Sequence, residues 1–139
     1  MTASQARERF ATARVARLAT VSADGRPHVV PVVYALGAER IYHAVDHKPK
    51  RTTALRRLDN IAANPRVALL ADEYDDDEWA QLWWARADGI ARVLDPGCDE
   101  ARAAIVLLCA RYEQYREAPH CGPVIAIDVE RWTGWRAAA

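Results

Sequence analysis

The sequence predicts a mainly β protein with helices (α+β), built as a small antiparallel barrel with helical inserts. Two observations carry this. Runs of β-branched and aromatic residues follow one another over residues 15–46 with only tight-turn residues between them, the pattern of a meander of hairpins. After residue 46 a helical stretch precedes each later group of strands, an order that suits a barrel with inserts and not a doubly wound parallel sheet. Six or so strands and three helices are expected, with no repeat, linker or low-complexity segment among the 139 residues.

Residues 4–14 place Ala6, Phe10 and Ala13 on one helical stripe, with Ser4 as the expected N-cap. Residues 15–22 form a strand, and Asp24-Gly25 within the following turn favours a tight hairpin. The return strand, residues 27–35, is apolar on both parities, so both of its faces are expected to be covered. Pro27 and Pro31 lack an N–H, which places them at a strand start, a bulge or an edge. Gly37 turns the chain into a third strand over residues 40–46. Thr52 or Thr53 is the expected cap of a helix with Leu55, Leu58 and Ile61 on one side and Arg56 and Arg57 toward the other. Asn64-Pro65 ends that helix, and residues 66–72 are a strand.

The carboxylates of residues 73–78 read as a solvated loop, with Asp77 or a neighbour capping a short turn before Trp79. Residues 83–94 form one long strand with Ala85, Ala87, Gly89 and Ala91 on one parity, which suits either a flat ligand or a tight barrel interior. Asp99 is the expected cap of a helix reaching residue 117, with Cys109 a buried small hydrophobe beside its stripe. Residues 123–129 are the last core strand; Trp132 and Trp135 beyond it must pack on this chain or on a partner.

Composition excludes several classes. Nineteen basic and 19 acidic residues cancel, which argues against a protein that coats nucleic acid. No apolar run is long enough to span a membrane, and the first residues have no apolar signal core, so a cytoplasmic location is expected. Cys98, Cys109 and Cys121 lie far apart, without the spacing of a disulfide framework or a zinc site, and His120-Cys121 sits among turn residues; no metal is expected.

Positive charge is concentrated in one place. Lys48, Lys50, Arg51, Arg56 and Arg57 fall within ten residues, with Thr52 and Thr53 among them, at the start of a helix. Helix N-termini attract anions through free N–H groups and the helix dipole, so a phosphate-bearing ligand is expected there. No nucleophile elbow, Walker loop or dinucleotide fingerprint is present, which leaves a phosphorylated planar cofactor as the carrier of chemistry.

Five segments together resemble the pyridoxamine 5'-phosphate oxidase-like (PPOX class) split-barrel family, and within it the branch of probable coenzyme F420-dependent oxidoreductases. They are A-R-L-A-T-V-S-A-D-G-R-P-H-V-V-P-V-V-Y-A (16–35), D-H-K-P-K (46–50), L-R-R-L-D-N-I-A-A-N-P-R-V-A-L-L-A-D (55–72), L-W-W-A-R-A-D-G (82–89) and R-W-T-G-W-R-A (131–137). The resemblance implies a six-stranded antiparallel split β-barrel of the FMN-binding type, working as a homodimer with its cofactor at the subunit interface. It implies coenzyme F420, with FMN as the alternative, and hydride transfer to a small organic acceptor. A non-catalytic flavin or haem carrier of the same fold is the further alternative, with His28, His43 or His47 as axial ligand. Carried onto this chain, Lys48, Lys50 and Arg51 with Thr52 or Thr53 would hold the phosphate, and Arg57 would assist with the anionic tail. The backbone at Pro31, Val32 and Val33 would lie along the ring, bordered by Trp84, Arg86 or Trp135. Tyr34, His28 and His43 are the candidate proton donors, and no catalytic residue is assigned.

Overall fold

The computed structural model describes residues 1–45, 51–117 and 122–137, and within the second helix the backbone alone of residues 51–55. Seven strands form one antiparallel sheet in the order β2-β1-β5-β6-β7-β4-β3, one strand more than expected. They are β1 (Ala16–Val21), β2 (Pro27–Val32), β3 (Ala35–Leu36), β4 (Arg40–Ala44), β5 (Arg66–Glu73), β6 (Trp83–Leu94) and β7 (Val124–Arg136). The two edge strands, β2 and β3, are consecutive in the chain and separated only by Val33 and Tyr34, so the sheet curls into a half-barrel whose seam lies at those residues.

The extra strand comes from residues 27–35, expected as one unit. Ala16 is the first residue of β1 and pairs with Val32, so the β1 ladder ends at Val32. The chain crosses the seam, and Ala35 and Leu36 pair with Tyr42 and Ile41 of β4. Pro27 and Pro31 fit an edge strand. Having no N–H to give β1, they mark alternate positions 27, 29 and 31 as those whose backbone groups face away from it, leaving the N–H and C=O of Val29 on the open edge.

Helix α1 (Ala3–Thr12) is capped two residues earlier than expected, by Thr2 and not Ser4: the Thr2 hydroxyl accepts from Gln5 N and the Gln5 side chain accepts from Thr2 N. It plugs one end of the barrel with Phe10, whose ring lies 4.5 Å from Tyr34 and 5.2 Å from Trp132. Helix α2 (Arg51–Ala63) contributes Ile61 and part of Leu58 to the same core. It starts at Arg51, so Thr52 and Thr53 lie inside its first turn instead of capping it.

The small residues of β6 decide between the two readings of that strand. Ala85, Ala87 and Ala91 are buried in the barrel interior among Leu18, Leu69, Ile125 and Ile127, and no ligand surface is formed there. A bulge sits at Asp88-Gly89, and a Cβ at Gly89 would lie 2.4 Å from the Asp128 carbonyl oxygen. Opposite it, Asp88 pairs with Arg131 and Gly89 with Val129, so Glu130 is the inserted residue. β7 therefore runs on unbroken past Val129, and both C-terminal tryptophans lie in a strand.

A second core covers the other face of β4 and β7. Helix α3 (Asp99–Arg111) presses Ala101, Ala104 and Leu108 on Tyr42, Ala44, Val124 and Ala126. Cys98, not Asp99, caps it, and Tyr112 breaks it from α4 (Glu113–Glu117), which residues 99–117 alone did not reveal. Cys109 is half-buried, not enclosed. The acidic loop is exposed, with internal bonds from Tyr74 Oη to Asp76 and from Asp77 N to Asp75, and no side chain caps the 3-10 turn Trp79–Gln81 that follows.

The seam is closed by side chains. Tyr34 is fully buried, its hydroxyl donating to the Phe10 carbonyl and 3.0 Å from that of Ala13. The Tyr112 hydroxyl lies 3.0 Å from the carbonyl of Tyr34, and Arg111 Nη1 donates to the same oxygen at 3.0 Å. Burial pushes the Tyr34 phenol up to about 12, which removes it as a proton donor near neutral pH. Replacing Tyr34 by Phe strands the Phe10 carbonyl in the core. The expected loss is about 1–3 kcal/mol of unfolding free energy, read from urea denaturation with the m-value unchanged.

Candidate functional site

The edge strand β2, the inner strand β4 and the middle of α2 converge at the seam. Val33 ends the extended segment there, and its carbonyl lies 3.0 Å from His43 Nδ1. A carbonyl only accepts, so Nδ1 carries the proton and the other ring nitrogen, Nε2, offers a lone pair. Arg57 Nη1 donates to that nitrogen at 2.5 Å. A chain of hydrogen bonds thus runs from α2 through a 95% buried imidazole to the end of β2; the 5% exposure of His43 leaves no room for solvent to replace either bond.

Arg57 was expected on the helix face opposite Leu58 and Ile61, but it turns inward. It lies three residues before the buried Asn60 and four before the buried Ile61, the spacing that shares one helix face, and this was the available signal. Its Nε is buried with no partner among the described residues. Burial alone lowers its pKa, with no carboxylate acting on it among the described groups. Burying a cation without a counter-charge is costly, so this guanidinium is suited to meet an anionic or electron-rich group supplied from outside the chain.

Beside it, Asn60 is buried and donates to Thr20 Oγ1 at 3.0 Å. His28 pairs with Thr20 across β1 and β2. An open cleft of about 620 Å³ follows the hairpin turn and α2, with Arg26, His28, Arg56, Asp59 and Asn60 on its walls. His28 Nδ1 is buried without a partner among the described residues. Burial, then the charges of Arg56 and Arg57, hold its pKa below the ordinary histidine value. Neutral His28 is therefore the one of the three proposed donors with a ring nitrogen still to offer, since Tyr34 is sealed and both nitrogens of His43 are engaged.

The remaining expected site residues separate into two groups. Arg57 and Val33 come together; Val32 is buried in the core, so only its backbone is available to a ligand. Trp84 and Trp135 face each other across β6 and β7, with Arg86 5.7 Å over Trp84 and 3.2 Å from Asp88. In the sheet order β6 lies three strands and β7 four strands from β2, so neither strand borders the edge that leads to Val33. Lys48, Lys50, His47, His120 and Cys121 lie outside the described residues, as do the side chains of Arg51, Thr52 and Thr53. Among the described residues no three His, Cys, Asp or Glu side chains gather as metal ligands, and no helix is long and apolar enough to cross a membrane.

Helix α3 covers the outer face where Tyr42 and Ala44 of β4 and Val124 and Ala126 of β7 lie, and large apolar side chains stand exposed elsewhere. Val29 is 60% exposed, Leu70 38% and Trp135 48%, and the expected cover on both faces of residues 27–35 is therefore missing from the single chain.

A curled antiparallel sheet, plugged by α1 and α2 and split beside a half-buried cation without a carboxylate partner among the described residues, defines a split-barrel protein. The family model for pyridoxamine 5'-phosphate oxidase matches residues 2–136, and the chain belongs to that family. Its fold matches a conserved hypothetical protein, Rv2991, from Mycobacterium tuberculosis: 20% identity, TM-score 0.76, covering 98% of this chain and 85% of that one. It also matches an FAD-binding protein from Mesorhizobium loti at 25% identity and TM-score 0.74, over 99% and 96% of the two chains. The haem storage protein HutZ from Vibrio cholerae matches at 19% identity and TM-score 0.73, over 98% and 95%. No curated protein matches the chain significantly.

The depressed pKa of His28 has a testable sign. As pH falls, the unfolded chain takes up the proton first, near the ordinary value of 6.5, so stability is lost from there down through the lower folded value. NMR titration is expected to place His28 below 6.5, and Arg57→Met to raise it.

Proposed function

We propose that the chain is an F420-dependent oxidoreductase of this family, moving a hydride between the deazaflavin and a small organic acceptor. The observation that carries the reading is Arg57: a half-buried cation, unmatched by any carboxylate among the described residues, beside the open edge of β2. The family match gives that cation a class of ligand. Lys48, Lys50 and Arg51, with Thr52 or Thr53, hold the phosphate at the start of α2, where the helix dipole favours it. The ring lies along residues 31–33, and the outward N–H and C=O of Val29 continue the same edge.

A second copy of the chain covers the exposed part of the sheet face. This homodimer brings Trp84, Arg86 or Trp135 of one subunit toward the ring held by the other; within one chain they stand on β6 and β7, which do not neighbour β2. Val29, Leu70 and Trp135 supply the apolar contact. The protein works in the cytoplasm and takes neither nucleic acid nor membrane as partner. When bound, the deazaflavin supplies the two-electron chemistry; the protein binds it, excludes water and orients the acceptor. His28 is placed to hold a proton at Nδ1 in the cleft.

FMN in the same site is the second reading, favoured by the likeness to a protein named as FAD-binding. Titrating apoprotein with F420 and FMN, following the fluorescence of its five tryptophans, separates the two. Micromolar or tighter F420 with weak FMN is expected; the reverse preference moves the function to FMN chemistry. A Soret band on adding haem, with neither flavin bound, would assign a carrier instead. Lys50→Ala combined with Arg51→Ala is expected to weaken binding by about 2–4 kcal/mol, the scale of lost charge-assisted hydrogen bonds. Unchanged affinity overturns the phosphate placement. Light scattering is expected to give twice the monomer mass.

A further inference from the structure

We propose that Arg57, held in place by His43, contacts the electron-rich carbonyl edge of the bound ring and so favours its reduced, negatively charged form over the oxidised one. The inference rests on the cofactor reading above and assigns Arg57 a contact separate from the grip on the phosphate.

The first argument is position. Arg57 stands six residues beyond Arg51, about 9 Å further along the helix at its usual rise. The free N–H groups that favour a phosphate belong to the first turn, so one phosphate group does not reach both places. Arg57 is bound instead to the strand that carries the ring: through His43 it is two hydrogen bonds from the Val33 carbonyl.

The second argument is the state of the guanidinium. One Nη is committed to His43, which fixes the plane of the group, and Nε remains buried without a partner among the described residues. A fixed planar donor partly withdrawn from water discriminates between a neutral and a negative acceptor, because the lowered local dielectric magnifies the difference. Positive charge beside the ring is a protein's direct means of tuning a flavin-type cofactor. The nearby His28 is kept neutral and does not duplicate that charge.

His43 acts as a positioning residue. Its proton is fixed on Nδ1 by Val33, so Nε2 can only accept, and it aims Arg57 without competing for the ligand. Phenylalanine at position 43 removes the clamp; glutamine retains an acceptor for Arg57 and a donor for Val33.

The test is anaerobic titration with FMN and with riboflavin, which lacks the phosphate, each oxidised and dithionite-reduced. Arg57→Met is expected to lose about tenfold in affinity for both reduced rings, the effect of one charge-assisted hydrogen bond, and markedly less for the oxidised rings. His43→Phe is expected to follow it and His43→Gln to retain wild-type ratios. Lys50→Ala/Arg51→Ala is expected to lose FMN but keep riboflavin. Loss confined to FMN in Arg57→Met, equal loss for both redox states, or no loss overturns the inference and leaves the cofactor reading standing. If wild-type protein binds neither ring, F420 and its phosphate-free deazaflavin core replace them; binding of none of the four overturns the cofactor reading and this inference with it.

Discussion

A sheet whose two edges are joined by only two residues has to curl, and the backbone groups of those residues have to be satisfied by something other than a ladder. Val33 and Tyr34 stand at that point. The Val33 carbonyl takes His43, and the Tyr34 carbonyl takes Tyr112 and Arg111. The Tyr34 N–H has the Tyr112 hydroxyl 3.3 Å away, so side chains take the place of a ladder for these groups. The same bonds tie α3 and the end of α1 to the seam, since Arg111 also donates to Ala13 and Tyr34 to Phe10.

The site inherits its geometry from this closure. His43 serves the fold by binding Val33 and serves the site by fixing Arg57, so one imidazole links barrel closure to the orientation of a half-buried cation. The wall opposite is equally constrained. β6 gives its small residues to the interior, where Phe10 and Ile61 pack, and turns Trp84, Arg86 and Asp88 toward the opposite face. Core and surface thus divide along the alternation of a single strand.

Much of the fold was legible locally. Asp24-Gly25 gave the first hairpin, and Gly25 does adopt the left-handed backbone a tight turn needs, with φ 86°. Pro27 and Pro31 gave an edge strand, and Asn64-Pro65 gave the end of α2. β7 was cut short at Val129 for a physical reason: Ile125 and Ile127 point inward on odd positions, Trp132 on an even one. The inserted Glu130 changes the parity, and a change of parity in sequence looks like the end of a strand. The bulge that restores the register depends on Gly89, forty residues earlier, where only a bare Cα fits against Asp128.

The sequence by itself determined the mainly antiparallel class, the family resemblance and the concentration of positive charge around α2. All three rest on neighbours within a few residues, where turn chemistry, periodicity and composition act directly. Only the tertiary structure decided that Arg57 turns inward, that Tyr34 is a sealed structural phenol and that His43 joins them through Val33. Those roles depend on which distant side chain occupies the adjoining space, and a curled sheet brings residues 33, 43 and 57 together where no local pattern records it.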